Sequence, residues 1–247
     1  MEQKLKAVVL AAGKGTRLQT EGCDLPKVMR LANGKPLLHY VLRALSFIPA
    51  EDITIVVGYK KEDVKSHFFG YKFAEQAEQL GTGHAVSCAL EQSGIRDGAV
   101  LVCCGDMPLL KEETYRALVE EHLNGGFDCT MLTGTSSLPL PYGRVIRGED
   151  GAFLRIVEDR DCTQEEKAIT ELNSGVYVFS AGMLNTALRS VNNNNAQGEY
   201  YLTDVPPIIE SLGGKIGVCR RELGCEIIGV NTVEQLQQVE EIILAGK

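Results

Sequence analysis

The chain is 247 residues long, 44% hydrophobic and 23% charged, and 25 Lys and Arg against 33 Asp and Glu give it a formal charge of −8. That acidic balance, with no block of basic residues, excludes the cationic footprint that grips the phosphates of a duplex nucleic acid, and the longest apolar runs fall far short of the roughly 20 residues that cross a bilayer. The length suits one large α/β domain with a well-filled core.

Residues 1–6 run directly into a strand-like segment without a secretory apolar region, so a cytoplasmic protein is expected, with neither nucleic acid nor membrane as partner. Lys6–Ala11, Ile53–Val57, Ala99–Cys104 and Asp128–Leu132 are continuous apolar runs, the pattern of strands covered on both faces. Between them Leu37, Leu38, Val41, Leu42 and Leu45 recur at helical spacing, and a second helix is predicted over Gly83–Leu90. Strand, helix and strand in this order predict βαβ units and an α/β fold with a mainly parallel sheet.

After Gly134 the rhythm changes. Pro139 and Pro141 flank a loop, and the shorter runs Arg144–Arg147, Leu154–Glu158 and Gly175–Phe179 predict a mixed-sheet extension of the same domain. A polar loop covers Asn192–Asn195, a helix Asp204–Leu212 and a further strand Glu226–Val230. Thr232 with Gln235 forms a capping box for a final helix, whose buried stripe is Val233, Leu236, Val239 and Ile243. The eight cysteines contain no C-x-x-C pair, and the four histidines lack zinc-type spacing relative to them. Cys103, Cys104, Cys129 and Cys219 lie in apolar runs, where a thiol behaves as a small hydrophobe.

Four segments carry chemistry. The first strand runs into Gly13-Lys14-Gly15-Thr16-Arg17, and a glycine-rich turn at the end of the first strand of an α/β sheet brings bare N–H groups close to phosphates. Leu18 stands where a dinucleotide fingerprint needs its third glycine, and no Gly-Lys pair is followed by Ser or Thr as in a Walker loop. A plain tight turn has the same geometry, but Lys14, Arg17 and Lys27 gather three cations that suit a triphosphate. The third strand ends in Gly105-Asp106, where a carboxylate either serves as a hard oxygen ligand for Mg²⁺ beside phosphates or caps the turn before Pro108. Gln76, Gln79, Gly81, Thr82 and His84 form a polar approach to a helix; the amides match the edge of uracil, and a loop with Thr82 as N-cap gives the same pattern. Glu158 and Asn173, with Tyr142-Gly143-Arg144 in front, offer partners for sugar hydroxyls, as would any solvated sheet rim.

In colinear order Leu10–Arg17, Leu25–Lys27, Gln79–Ala85, Gly105–Leu109, Tyr142–Arg144, Ile156–Glu158, Leu172–Gly175, Gln197–Asp204 and Gly229–Asn231 closely resemble the N-terminal pyrophosphorylase domain of bacterial N-acetylglucosamine-1-phosphate uridyltransferases. The opening loop is shared by many sugar nucleotidyltransferases; the Gln79–Ala85 and Gly198–Asp204 segments are more specific. The resemblance implies a Rossmann-like nucleotidyltransferase fold with a smaller β-rich sugar-binding extension. It also implies Mg²⁺-dependent conversion of UTP and N-acetylglucosamine 1-phosphate to UDP-N-acetylglucosamine, a peptidoglycan precursor, and pyrophosphate.

Carried over residue by residue, it assigns phosphate binding and catalysis to Arg17 and Lys27, and nucleotide binding to Leu10, Ala11, Ala12, Gly13, Lys14, Gly15, Gln76, Gln79, Gly81, Thr82 and Gly105. Sugar contacts fall to Gly143, Glu158, Asn173 and Asn231, and the metal to Asp106 and Asn231. The chain departs from the family in a loop about two residues longer at Gln19–Asp24, in Cys104 where Tyr is common, and in Ser174 for Thr. No β-helix acetyltransferase follows Lys247, so a single nucleotidyltransferase domain over 1–247, monomeric or weakly dimeric, is expected. The rival readings are another sugar 1-phosphate, such as N-acetylgalactosamine or glucose, and a catalytically silent nucleotide sensor.

Overall fold

The computed structural model describes residues 4–18, 24–135 and 140–246; Cys23, Pro139 and the lengthened stretch at residues 19–23 lie outside them. In chain order the strands are β1 (Leu5–Leu10), β2 (Leu31–Ala32), β3 (Lys35–Pro36), β4 (Ile53–Val57), β5 (Lys72–Glu75), β6 (Ala99–Cys104), β7 (Cys129–Thr135), β8 (Arg144–Arg147), β9 (Phe153–Val157), β10 (Glu171–Ser180) and β11 (Ile216–Arg221). The helices are α1 (Leu37–Ala44), α2 (Lys61–His67), α3 (Thr82–Gln92), α4 (Glu112–Gly125), α5 (Gln164–Lys167), α6 (Ala181–Leu188), α7 (Val205–Ser211) and α8 (Val233–Ala245). None of the described helices is long and apolar enough to cross a membrane.

The large sheet has the order β11-β7-β10-β6-β1-β4-β5, with β8 on β10 and β9 on β8; β2 and β3 form a separate hairpin. β1 is parallel to β4 and β6, and Leu10 faces Val56 on one side and Cys104 on the other. The three strands therefore end level, and the segments that follow them leave the sheet at one edge. β10 runs antiparallel to β6 with Tyr177 opposite Val102, so Asn173, four residues earlier, falls at that same edge. This register gathers segments that are distant in sequence. It is the mixed, mainly parallel sheet flanked by helices expected of a Rossmann-like nucleotidyltransferase fold.

The continuous apolar runs are explained by burial on both faces. Val9, Leu101 and Val178 pack under α1 and α4 with Leu38, Val41, Tyr115 and Leu118. Val8, Val100, Val102 and Phe179 face the other way, onto Val86 and Leu90 of α3, Leu184 of α6 and Ile209 of α7. A third cluster under α8 joins Val239 to Leu18, Leu37, Tyr40, Ile228 and Val230, with Val233, Leu236 and Ile243 half-buried against it. The Thr232–Gln235 capping box is formed as expected.

One predicted strand is absent. Residues Gly224–Ile227 close a 3₁₀ turn instead of pairing, and the strand in this region is β11, which runs parallel to β7. Ile227, Ile228 and Val230 are fully buried, which accounts for their apolar character. Their backbone bonds go elsewhere: Val230 N–H donates to the Asp106 carbonyl at 2.9 Å.

Candidate active site

The turn after β1 and the strand-edge position of Asp106 are held together by backbone bonds. Ala11 N–H donates to Val56 O, and Gly105 N–H to Leu10 O, both at 2.9 Å. Gly15 has φ +67°, and a Cβ there would lie 2.7 Å from Lys27 Cβ, so its bare backbone lets the Lys27 stem pass. Lys27 opens a 3₁₀ turn just after Pro26. Its ammonium forms an ion pair with the Asp106 carboxylate and donates to Asn231 Oδ1 at 2.7 Å. Arg17 approaches the same Asn231 oxygen at 3.4 Å. Lys14 does not join them: it is exposed and lies 5.2 Å from the centre of the Tyr59 ring.

Asn231 is fixed from behind. Its own N–H and that of Thr232 donate to Gln235 Oε1 at 2.7 and 3.1 Å, so the cap of α8 also sets the residue that faces Lys27. The side chains of Lys27 and Asp106 are only 16% and 17% exposed, a depth at which their charges are weakly screened.

Beside this cluster opens a cleft of about 400 Å³ lined by Leu10, Arg17, Thr82, Asp106, Gly143, Glu158, Asn173 and Asn231. On its far wall a bulge interrupts the β10–β7 pairing between Asn173 and Tyr177. Asn173 Nδ2 donates to the Tyr177 hydroxyl at 2.6 Å, and Asn173 N–H to Gly143 O at 2.8 Å. The Thr203 hydroxyl donates to Glu158 Oε1 at 3.0 Å. Burial raises the Glu158 carboxyl above the usual carboxylate range, and the nearby acids Asp161, Asp204 and Asp159 push in the same direction.

The Gln76–Thr82 segment reaches the cleft only through Thr82. Gln76 is buried, and its Nε2 donates to Gly81 O at 3.0 Å and lies 3.2 Å from His84 Nδ1; Gln79 Nε2 donates back to Gln76 O at 3.3 Å. Thr82 is the first residue of α3 with Gly81 in the cap position, and its hydroxyl accepts Leu202 N–H at 3.0 Å. Gly83 N–H and Tyr200 N–H complete the docking, donating to Tyr200 O and Leu80 O at 2.8 Å each. Of the expected nucleotide residues, Leu10 and Thr82 line the cleft itself, whereas Ala11, Ala12, Gly13, Lys14, Gly15, Gln76, Gln79, Gly81 and Gly105 do not.

Residues 7–168 match the MobA-like NTP transferase domain. The chain belongs to the MobA-like NTP transferase family. Among similar proteins, the bifunctional protein GlmU of Alkaliphilus oremlandii is 44% identical over 241 residues, 97% of this chain and 52% of that protein. GlmU of Caldanaerobacter subterraneus is 43% identical over 242 residues, 98% of this chain and 52% of that protein. GlmU of Clostridioides difficile is 41% identical over 244 residues, 96% and 51% respectively. The chain spans about half the length of these curated relatives.

For an NTP transferase, the donor set at Asp106 and Asn231 is informative. One carboxylate and one amide oxygen are hard ligands, and both already hold a cation in the form of the Lys27 ammonium. Among the described residues no group of three or more Asp, Glu, His or Cys side chains converges as a metal cage. Two protein oxygens suit an ion of the Mg²⁺ class, which keeps waters and takes phosphate oxygens to complete its shell.

Sequence reasoning passed over Thr203, Gln197 and Arg160, which line the cleft, as do Cys104 and Ser174, the two positions noted as departures from the family. Thr203 and Gln197 lie in the segment that carried the family resemblance, but nothing in their local pattern pairs Thr203 with Glu158, 45 residues away.

Proposed function

We propose that this NTP transferase is a Mg²⁺-dependent uridylyltransferase that converts UTP and N-acetylglucosamine 1-phosphate to UDP-N-acetylglucosamine and pyrophosphate. The observation that carries this reading is the cluster of Lys27, Arg17, Asp106 and Asn231 at the head of a cleft whose opposite wall presents Glu158, Asn173 and Gly143. Cations and hard oxygens at one end suit phosphates; acceptors and an amide at the other suit a sugar with an N-acetyl group. The choice of uracil and of this sugar rests on the resemblance of the motif set to N-acetylglucosamine-1-phosphate uridyltransferases.

The chemistry needs no dedicated base. The attacking phosphate oxygen is already anionic near neutral pH; it forms a bond to the α-phosphorus of the nucleotide while the bond from that phosphorus to the bridging oxygen breaks, and the electron pair leaves with pyrophosphate. The protein's part is alignment and charge neutralisation. Lys27 and Arg17 supply positive charge where phosphates crowd together, and the bare N–H groups of Gly13–Gly15 add fixed dipoles. Glu158, held by Thr203, accepts from sugar hydroxyls. A Mg²⁺ ion bound by Asp106 and Asn231 would draw charge from the phosphate oxygens.

The test is a pyrophosphate-release assay with Mg²⁺ that crosses UTP, CTP, dTTP and GTP with the 1-phosphates of N-acetylglucosamine, N-acetylgalactosamine and glucose. Release with UTP and N-acetylglucosamine 1-phosphate above all other pairs is expected. Preference for glucose 1-phosphate would overturn the sugar, and no release with any pair would favour a silent sensor.

A further inference from the structure

The segment that carries Asn231 has no regular structure of its own between the 3₁₀ turn at Gly224–Ile227 and α8. Its position therefore depends on a few discrete bonds, and one side chain supplies two of them. The Tyr142 hydroxyl donates to Ile227 O at 2.7 Å and accepts Gly229 N–H at 2.6 Å. One oxygen thus pinches three consecutive residues, two positions before Asn231. The next bond along, from Val230 N–H to Asp106 O at 2.9 Å, ties the same stretch to the other member of the cation cluster.

Gly229 gives an independent reading of this contact. A Cβ at that position would lie 2.8 Å from the Tyr142 oxygen, nearer than any unstrained approach, and its next neighbour, Met107 Cγ, would be 3.7 Å away. The bare backbone at 229 therefore makes room for this hydroxyl in particular. At its other end Tyr142 belongs to the loop that presents Gly143 to the sugar side of the cleft. Arg144, buried at the start of β8, donates to the Tyr142 carbonyl and reaches Asp159 at 3.3 Å.

We infer that Tyr142 is a positioning residue for Asn231, its hydroxyl joining the sugar-side loop to the segment that completes the cation site. The inference rests on the reading that Asp106 and Asn231 face a divalent cation, and it adds the group that holds one of them in register with the other. Burial and the negative charge of Asp106 hold the phenol well above its ordinary pKa, so the proton it donates stays in place across the neutral range.

Tyr142→Phe keeps the ring and deletes both bonds; Gly229→Ala keeps the hydroxyl and evicts it. Two measurements decide the matter. Hydrogen exchange of the substrate-free protein, followed in peptides spanning residues 224–232, should quicken about tenfold or more in either variant, while peptides of β1 and β6 keep the parent rate. Titration of MgCl₂ in the pyrophosphate-release assay should show about a tenfold rise in the half-saturating Mg²⁺ concentration, with most of the parent kcat recovered at saturating Mg²⁺. The double variant should be no worse than Gly229→Ala alone, because both substitutions remove one contact.

Parent-like exchange at 224–232 in Tyr142→Phe, additive effects in the double variant, or a rate loss that Mg²⁺ does not recover would each overturn the inference. The exchange experiment uses no nucleotide or sugar, so its failure is distinct from a failure of the proposed reaction.

Discussion

Lys27 Nζ stands 2.7 Å from Asn231 Oδ1, across 204 positions of sequence, and the same ammonium pairs with Asp106. This contact ties Lys27, which lies behind the cleft lining, to Asp106 and Asn231, which belong to it, and brings together residues that the family resemblance assigns separately to phosphate and to metal. Their shared use of one cation makes the cluster sensitive to single changes of charge. Asp106→Asn preserves shape and removes the anion, so turnover should fall by about a hundredfold or more while the melting temperature moves by only a few degrees. Steady-state kinetics with a thermal melt checks this; near-parental kcat would remove Asp106 from the machinery.

Gly15→Ala tests the turn through its neighbour. The substitution adds left-handed strain of about 1 kcal/mol and a Cβ 2.7 Å from Lys27 Cβ, so the lysine stem must shift. A fall of about tenfold in kcat/KM for UTP is expected, with a melting temperature lower by about 2–4 °C. Combined with Lys27→Ala, Gly15→Ala should cost little further rate, since the ammonium it would misplace is already gone.

Glu158 carries a stability cost. Its carboxyl is raised by burial, so the native state binds its proton more tightly than the unfolded chain does. The associated stability is fully present below the ordinary carboxylate range and is lost as the pH rises through the raised value. Glu158→Gln should therefore melt about 1–3 °C higher than the parent near pH 7 and show no such gain near pH 4. The same variant should bind sugar phosphate more weakly, with a KM about tenfold higher, because an amide is a poorer acceptor than a carboxylate. Equal melting temperatures at pH 7 together with an unchanged KM would count against both roles.

His122 predicts an acid limit unrelated to the site. It is buried on α4 with Nδ1 3.0 Å from Thr130 Oγ1, and burial lowers its pKa from 6.5 to about 4. The unfolded chain thus takes up a proton that the native chain refuses, and stability present above pH 6.5 drains away as the pH falls toward 4, by about 3 kcal/mol in total. Denaturant melts between pH 7 and 4 should show this slope in the parent and a flatter one in His122→Asn.

Much of the fold was legible because the central strands are buried on both faces and announce themselves as unbroken apolar runs; Ile53–Val57 and Ala99–Cys104 match their strands end to end. α4 was not, because its buried face includes Thr114 and His122 and so dilutes the apolar stripe. Glu226–Val230 misled for the opposite reason: burial without strand pairing produces the same apolar run, while Glu226 turns back to accept Lys111 N–H and the Thr114 hydroxyl. At the site, Arg17, Lys27, Asp106 and Asn231 could be named from their motifs, yet their convergence depends on strand register and on the cap of α8. Lys14 looked equivalent to its neighbours in the loop, but side-chain direction sends it to Tyr59.

Nucleotidyl transfer with pyrophosphate as leaving group runs in both directions, so the reverse reaction exposes it without ambiguity. The protein is incubated with UDP-N-acetylglucosamine, pyrophosphate and Mg²⁺, and UTP is quantified beside an Asp106→Asn control. UTP and N-acetylglucosamine 1-phosphate should appear in equal amounts and be nearly absent in the control. No UTP from the parent protein, or equal yields from parent and control, would contradict nucleotidyl transfer.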